Sequence, residues 1–254
     1  MTRARALAAA APAEEGARRH DRRGLSYAAT FPSPWTRAAI RAVEWATAKP
    51  AILRRVRAFE RRGQPRGAAF WEQALDVMGI RIETPAAEAA RIPARGPVVL
   101  VANHPHGLVD GMVLASLIGR VRPDWRILTR ALLAGLDEEA AAFMIPVPFP
   151  HEPDAQARML AMRARAMAHL AQGGLVALFP AGGVAAARRP WAPPVEGEWS
   201  AFTAKMIRLS GAAVVPVRFP GANSRAYQVA ACVSPTLRQG LLLHEIARAF
   251  DGPQ

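Results

Sequence analysis

Only one cysteine, Cys232, occurs among the 254 residues, so no disulfide framework can hold this chain together. A lone thiol suits a reducing compartment. Lysine is nearly absent as well, at Lys49 and Lys205 only, although Lys and Arg together number 33 against 20 acidic residues. The net charge of +13 is therefore almost entirely guanidinium. Heavy use of Ala, Arg and Pro with little Lys points to a GC-rich coding bias, which accounts for part of that basicity. A charge this positive still attracts anionic lipid surfaces, nucleic acid or acidic proteins. Long apolar runs are missing too. The richest stretch, residues 174–187, is broken by Pro180 and by paired glycines. Nothing reaches the ~18 uninterrupted apolar residues that a spanning helix needs. The apolar part of the first residues is too short for a secretory signal. Residues 1–24 read as a disordered basic tail, and the protein is expected on a membrane surface or in the cytosol.

What is present is enough apolar material, 51%, for one large domain or a domain with a helical appendage. Residues 25–80 read as helical. Ser33 can cap and Pro34 can open a first helix, along which Trp35, Ala38, Ala39, Ala42, Val43 and Ala46 recur at helical spacing. Pro50 interrupts it. The next segment, residues 51–62, sets Ile52, Leu53, Val56 and Phe59 on one stripe with Arg54, Arg55, Arg57, Arg61 and Arg62 around it. That composition fits a helix lying in a membrane interface, and equally a helix packing its stripe on a globular domain. Residues 70–79 form a third helical stretch closed by Gly79.

From Gly96 onward short apolar runs alternate with helical segments. Strands are expected at residues 97–102, 126–129, 175–179 and 213–217, each read as buried. Helices are expected at 110–121, 155–172, 202–209 and 241–250. Such alternation predicts an α/β fold with a mostly parallel central sheet flanked by helices, filling residues 81–254 behind the N-terminal amphipathic helical region. No internal repeat is visible.

Three strand ends carry polar or glycine-rich loops, and in open α/β sheets sites gather beyond the carboxyl ends of strands. The first strand runs into Asn103-His104-Pro105-His106-Gly107-Leu108-Val109-Asp110. Pro105 and Gly107 allow a tight turn that brings His104 and Asp110 face to face. An imidazole so placed can take a proton from a hydroxyl while the carboxylate fixes its tautomer. The third strand runs into Phe179-Pro180-Ala181-Gly182-Gly183, a turn whose backbone amides can hold an oxyanion. The fourth leads to Asn223, Ser224 and Arg225. One shared cleft is expected. His104 and His106 with Asp110 also match the start of a metal-dependent hydrolase site, but His169 falls inside a helix and His151 in a Pro-rich loop. A third possibility is a peripheral lipid-binding protein without activity.

Taken in order, Asn103-His104 with Asp110, Phe179-Pro180-x-Gly182 and Val215-Pro216-Val217 resemble the motifs of the glycerolipid (lysophospholipid) acyltransferase superfamily. The resemblance covers roughly residues 96–225, and residues 25–80 are similar to the membrane-docking helices that precede that domain in the family. It implies transfer of a fatty acyl group from acyl-ACP or acyl-CoA to a lipid hydroxyl, with no other cofactor and no metal. His104 is then the base and Asp110 its orienter, with Asn103, Gly107, Phe179, Pro180, Gly182, Gly183, Asn223, Ser224 and Arg225 around the substrates. The implied partners are a lipid acceptor, the thioester carrier and an anionic membrane surface, with no nucleic acid. The implied location is peripheral, on the cytoplasmic face of the inner membrane.

The chain departs from the common pattern in three places. Five residues separate His104 from Asp110 instead of four. Ala181, Gly183 and Val184 stand where the third motif has Glu, Thr and Arg. No arginine stands at Ile145-Pro146-Val147-Pro148, where the second motif has one. What remains is similar to the haemolysin-like branch, some of whose members are linked to ornithine-lipid synthesis.

Overall fold

A computed structural model describes residues 25–31, 33–63, 65–129, 138–149, 152 and 154–252. The expected basic tail, His151 and Arg130 lie outside them. A 3-10 turn at Tyr27–Thr30 leads into α1 (Pro34–Thr47), where the Ser33 hydroxyl accepts from the Thr36 N–H and Pro34 takes the first turn. Ala48 breaks the chain direction. Pro50 then stands in the first turn of α2 (Lys49–Arg61), where its missing N–H costs nothing. α3 (Ala68–Met78) ends on Gly79 in the left-handed conformation, and a short α4 (Ala86–Ala89) follows.

The α/β part runs β1 (Val98–Ala102), α5 (Leu108–Gly119), β2 (Trp125–Thr129), α6 (Glu138–Ala142), β3 (Met144–Pro146), α7 (Ala155–Ala171), β4 (Leu175–Leu178), α8 (Ala201–Ser210) and β5 (Ala213–Val217). It closes with α9 (Arg225–Val233), α10 (Pro235–Gly240) and α11 (Leu242–Arg248). The five strands form one sheet in the order β3-β2-β4-β1-β5, parallel at every pairing. The central strands alternate side chains between two cores. Val98, Leu100, Leu175 and Ala177 face α3, α5 and α11, whereas Val99, Val101, Val176 and Leu178 face α7 and α8. Burial on both faces is what makes β1 and β4 unbroken apolar runs.

Several expectations need correcting. β5 is half exposed, with Val214 at 45%, because it is an edge strand paired only with β1 among the described residues. β3 was not expected. It is three residues long, and its Pro146 fits only an edge. α9 and α10 were also not expected. Their serine caps, Ser224 and Ser234, open short helices whose apolar residues are too few to show a period. α2 turns its stripe inward. Ile52 is buried, Val56 and Phe59 pack on the core, and Phe59 meets Phe70 edge-on at 5.2 Å. Its apolar surface is spent on the domain.

α5 is nearly all buried, and α3 packs closely against it: a Cβ on Gly119 would lie 3.1 Å from Ala68 Cβ. Just beyond its end Arg122 is 2% exposed and anchors the bottom of the sheet. Its guanidinium donates to the carbonyls of Pro93 (3.1 Å), Gly96 (2.9 Å) and Gly173 (2.6 Å), and to both carboxylate oxygens of Asp124. Those carbonyls immediately precede β1 and β4, so one side chain aligns the starts of the two central strands. Arg122→Met should remove five hydrogen bonds, two of them to a carboxylate, and lower stability by roughly 3 kcal/mol. Urea unfolding checks this, and a midpoint equal to wild type would refute it.

Candidate active site

In the order β3-β2-β4-β1-β5, the strands β4, β1 and β5 are immediate neighbours. Their carboxyl ends therefore open side by side, and the loops after them meet although more than a hundred residues separate the first from the last. Asn103 ties two of these loops together. Its Nδ2 donates to Phe219 O at 2.8 Å, and its Oδ1 accepts from the Phe219 N–H at 2.6 Å. The third loop is held by Ala185, whose N–H donates to His104 O at 2.9 Å. Phe179 lies flat against the His104 ring, with centroids 3.9 Å apart and planes 19° apart.

Asp110 is the centre of this arrangement and has no exposure at all. Gly107, with φ 85, turns the chain into α5 and places Asp110 in the first helical turn. Its Oδ2 accepts from His104 Nδ1 (2.9 Å), the His106 N–H (2.9 Å) and the Gly107 N–H (3.0 Å), while Oδ1 accepts from His106 Nδ1 (3.0 Å). Burial works to raise the pKa of this carboxyl. The hydrogen bonds from His104 and His106, with the attraction of both rings, outweigh it and hold the group below its ordinary value. An ionised carboxylate only accepts, so both imidazoles present an Nδ1–H to it and turn Nε2 away from it. His104 is thus oriented by Asp110 on one side and by the Phe179 ring on its face.

The second imidazole was expected only as a possible metal ligand. Its Nδ1 is committed to Asp110, and its Nε2 lies 3.1 Å from where a Cβ on Gly221 would stand, against the loop after β5. Among the described residues no group of three or more His, Cys, Asp or Glu is arranged to hold a metal ion. His169 packs on Gly174 instead, with its Nε2 3.1 Å from Asp124 O.

The remaining expected residues divide. Gly182 has φ 68, and its N–H closes a turn onto Phe179 O at 2.9 Å, so that amide is already spent. The Gly183 N–H has no acceptor among the described residues. None of the hydrogen bonds that Asn223 and Ser224 make among the described residues reaches His104 or His106. Asn223 is buried, and Ser224 caps α9 while donating through its backbone N–H and Oγ to Glu245, at 2.8 and 2.5 Å. Arg225 points to the solvent side, with its guanidinium 5.6 Å from the Trp191 ring centre.

One residue at the site had no signal in the sequence. Glu196 Oε1 accepts the His104 N–H at 2.6 Å, and its Oε2 accepts from Trp199 Nε1 at 3.3 Å. It reaches His104 from 92 positions away, on a loop that folds back so that Ser200 N donates to Pro180 O at 3.0 Å. A second carboxylate therefore stands at the mouth beside Ala181. Compared with models of known protein families the chain matches none of them, and no curated protein is significantly similar to it. The residues themselves carry the functional reading.

The depressed pKa of Asp110 has a signed consequence. Its folded value lies below the ~3.9 of an unfolded aspartate, so its stabilisation is complete above about pH 4 and fades as the pH falls through the folded value. Asp110→Asn should cost about 3 kcal/mol at neutral pH, since it weakens a buried charge–donor cluster. Denaturant unfolding at neutral pH and near pH 3 should show that gap shrink in acid. A gap independent of pH would mean that Asp110 is not the ionised acceptor.

Proposed function

We propose that the protein is an O-acyltransferase that moves a fatty acyl group from an acyl-ACP or acyl-CoA thioester to the hydroxyl of a lyso-lipid. The observation that carries this reading is the buried Asp110 carboxylate holding His104 by Nδ1, with Nε2 left as a base at the mouth of the cleft. His104 Nε2 takes the proton of the acceptor hydroxyl, and the oxygen attacks the thioester carbonyl. The Gly183 N–H, which has no acceptor among the described residues, is assigned in this proposal to the charge that develops on the carbonyl oxygen. The carbon–sulfur bond then breaks, and His104 returns its proton to the leaving thiolate. No acyl-enzyme forms, and Cys232 takes no part, being turned to the Ala187 carbonyl.

Two further features support this reading. A cavity of about 170 Å³ starts one residue beyond Gly107 and is bounded by Leu108, Met112, Phe70, Trp71, Leu243 and Ile246. Its apolar lining suits an acyl chain. Besides Asp110, the charged side chain bonded to His104 among the described residues is another carboxylate, Glu196 at the backbone N–H, and Val184 packs against Gly107 where an arginine would face a phosphate. A phosphomonoester normally needs bidentate Arg contacts, whereas a carboxylate favours a cationic headgroup. The acceptor read from this is a zwitterionic or amino-acid-containing lyso-lipid, with lyso-ornithine lipid as the candidate. No helix among the described residues is long and apolar enough to cross a membrane. The proposed substrates are met on the cytoplasmic face of the inner membrane, and a peripheral position there is part of this proposal.

His104→Ala should abolish transfer, by at least the ~10²–10⁴ that a positioned base supplies, in a protein that still folds but melts lower for want of one donor to Asp110. Asp110→Asn should weaken it severely. Wild-type turnover in His104→Ala would end the proposal. With one acyl donor and equal lysophosphatidic acid and lyso-ornithine lipid in competition, acylated ornithine lipid should dominate. Preferential formation of phosphatidic acid would overturn the acceptor assignment.

A further inference from the structure

We infer that residues 185–199 form a membrane-docking flap, whose tip enters the headgroup layer of an anionic bilayer and brings that bilayer to the mouth of the site. This goes beyond the acyl-transfer reading, although the lipid acceptor of that reading would reach His104 by this route.

The base of the flap is fixed at several points. Ala185 donates to His104 O, and Glu196 accepts the His104 N–H. Ala186 and Val195 pair as an antiparallel bridge through two backbone bonds of 3.2 and 3.0 Å. On its outer side the Ala187 N–H donates to Gln228 Oε1 at 2.7 Å, and the Cys232 thiol reaches Ala187 O, so α9 braces the flap from behind. Beyond this stem the tip turns outward. Trp191 is 74% exposed, and Trp199 and Val195 are about half exposed.

An indole left in water on a rigid support has a reason other than core packing. Trp191 also holds φ 70, a left-handed conformation that a bulky side chain adopts only at a cost. The ring is exposed, and the Arg225 guanidinium on α9 lies 5.6 Å from its centre. Arg188 and Arg189 flank it in the same exposed tip. Of the two acidic residues in the flap, Glu196 is turned inward onto His104 and Trp199. Glu198 is exposed at the base next to Trp199, so the tip itself, residues 187–194, holds no acid and presents Trp191 with two arginines, a pairing that suits the interface of an anionic membrane.

α2 turns its apolar stripe to the core and to the cavity it shares with α3 and α11. It offers exposed Arg54, Arg57 and Arg61, which add attraction without penetration. The chain's net charge of +13 acts in the same sense.

The full-length protein is tested with vesicles of phosphatidylcholine alone and of phosphatidylcholine with phosphatidylglycerol. It should co-sediment with the mixed vesicles and lose that binding in high salt. Trp191→Ser, and separately Arg188→Gln with Arg189→Gln, should weaken partitioning about tenfold or more while the melting temperature stays at the wild-type value. Bromine-labelled lipid should quench a fluorescence component that Trp191→Phe removes. Equal binding to both vesicle types, unquenched Trp191, or wild-type binding in both variants would overturn the inference. A protein dimer that Trp191→Ser dissociates would overturn it in favour of a second copy on the tip. None of these measurements requires turnover, so docking without acyl transfer, or transfer without docking, separates the two readings.

Discussion

Placing a carboxylate where it meets no water is costly unless its oxygens are supplied with donors, and Asp110 is supplied with four. Satisfying it dictates the local chain. Gly107 must turn with positive φ so that its own N–H and that of His106 point inward, and α5 must begin where the carboxylate can stand in its first turn. Both histidines are then drawn to the same group by Nδ1. The acid is kept ionised by the groups it orients, and in return it turns the Nε2 of each ring away from itself. The chemistry of the site and the start of α5 are thus one arrangement.

α5 transmits that arrangement to the rest of the domain. It is buried along most of its length, packs on α3 through Gly119, and ends just before Arg122. The two polar side chains thus stand at opposite ends of one apolar helix. Arg122 gathers the carbonyls that precede β1 and β4, and Asp110 gathers the loop that follows β1. The position of the site over the sheet is set from both ends, while the apolar stretch between them supplies the burial that makes either cluster stable.

The two faces of the molecule do different work. Behind the sheet and under α2 the apolar surface is closed, leaving the cavity beside Leu108 and Met112. In front, the flap over His104 carries its own carboxylate inward and its tryptophans outward. A long loop held at its stem and bare at its tip is a common place for recognition, since a rigid support lets exposed groups keep their geometry.

Much of this was legible in residue order. Strands buried on both faces must be continuous runs of Val, Leu and Ala, and residues 98–102 and 175–178 announce themselves so. A histidine beyond such a strand, with Pro, Gly and Asp following, already implied a turn that pairs ring and carboxylate. Helix caps at Ser33 and Gly79 are local chemistry and were readable for that reason. What residue order could not decide depends on contacts between distant segments. Whether the stripe of α2 meets lipid or core, whether β5 is covered, and that Gly182 spends its amide on its own turn all required the folded chain. Nor could it show Ser224 bonded to Glu245 and Arg225 beside Trp191, or bring Glu196 to His104 across 92 positions. Local propensity and periodicity act over a few residues, so the sequence by itself determined the longer helices, the four longer strands and the His104–Asp110 pair, but not β3, α9 or α10. The sheet order, which makes neighbours of β4, β1 and β5, decided everything that those loops do to one another.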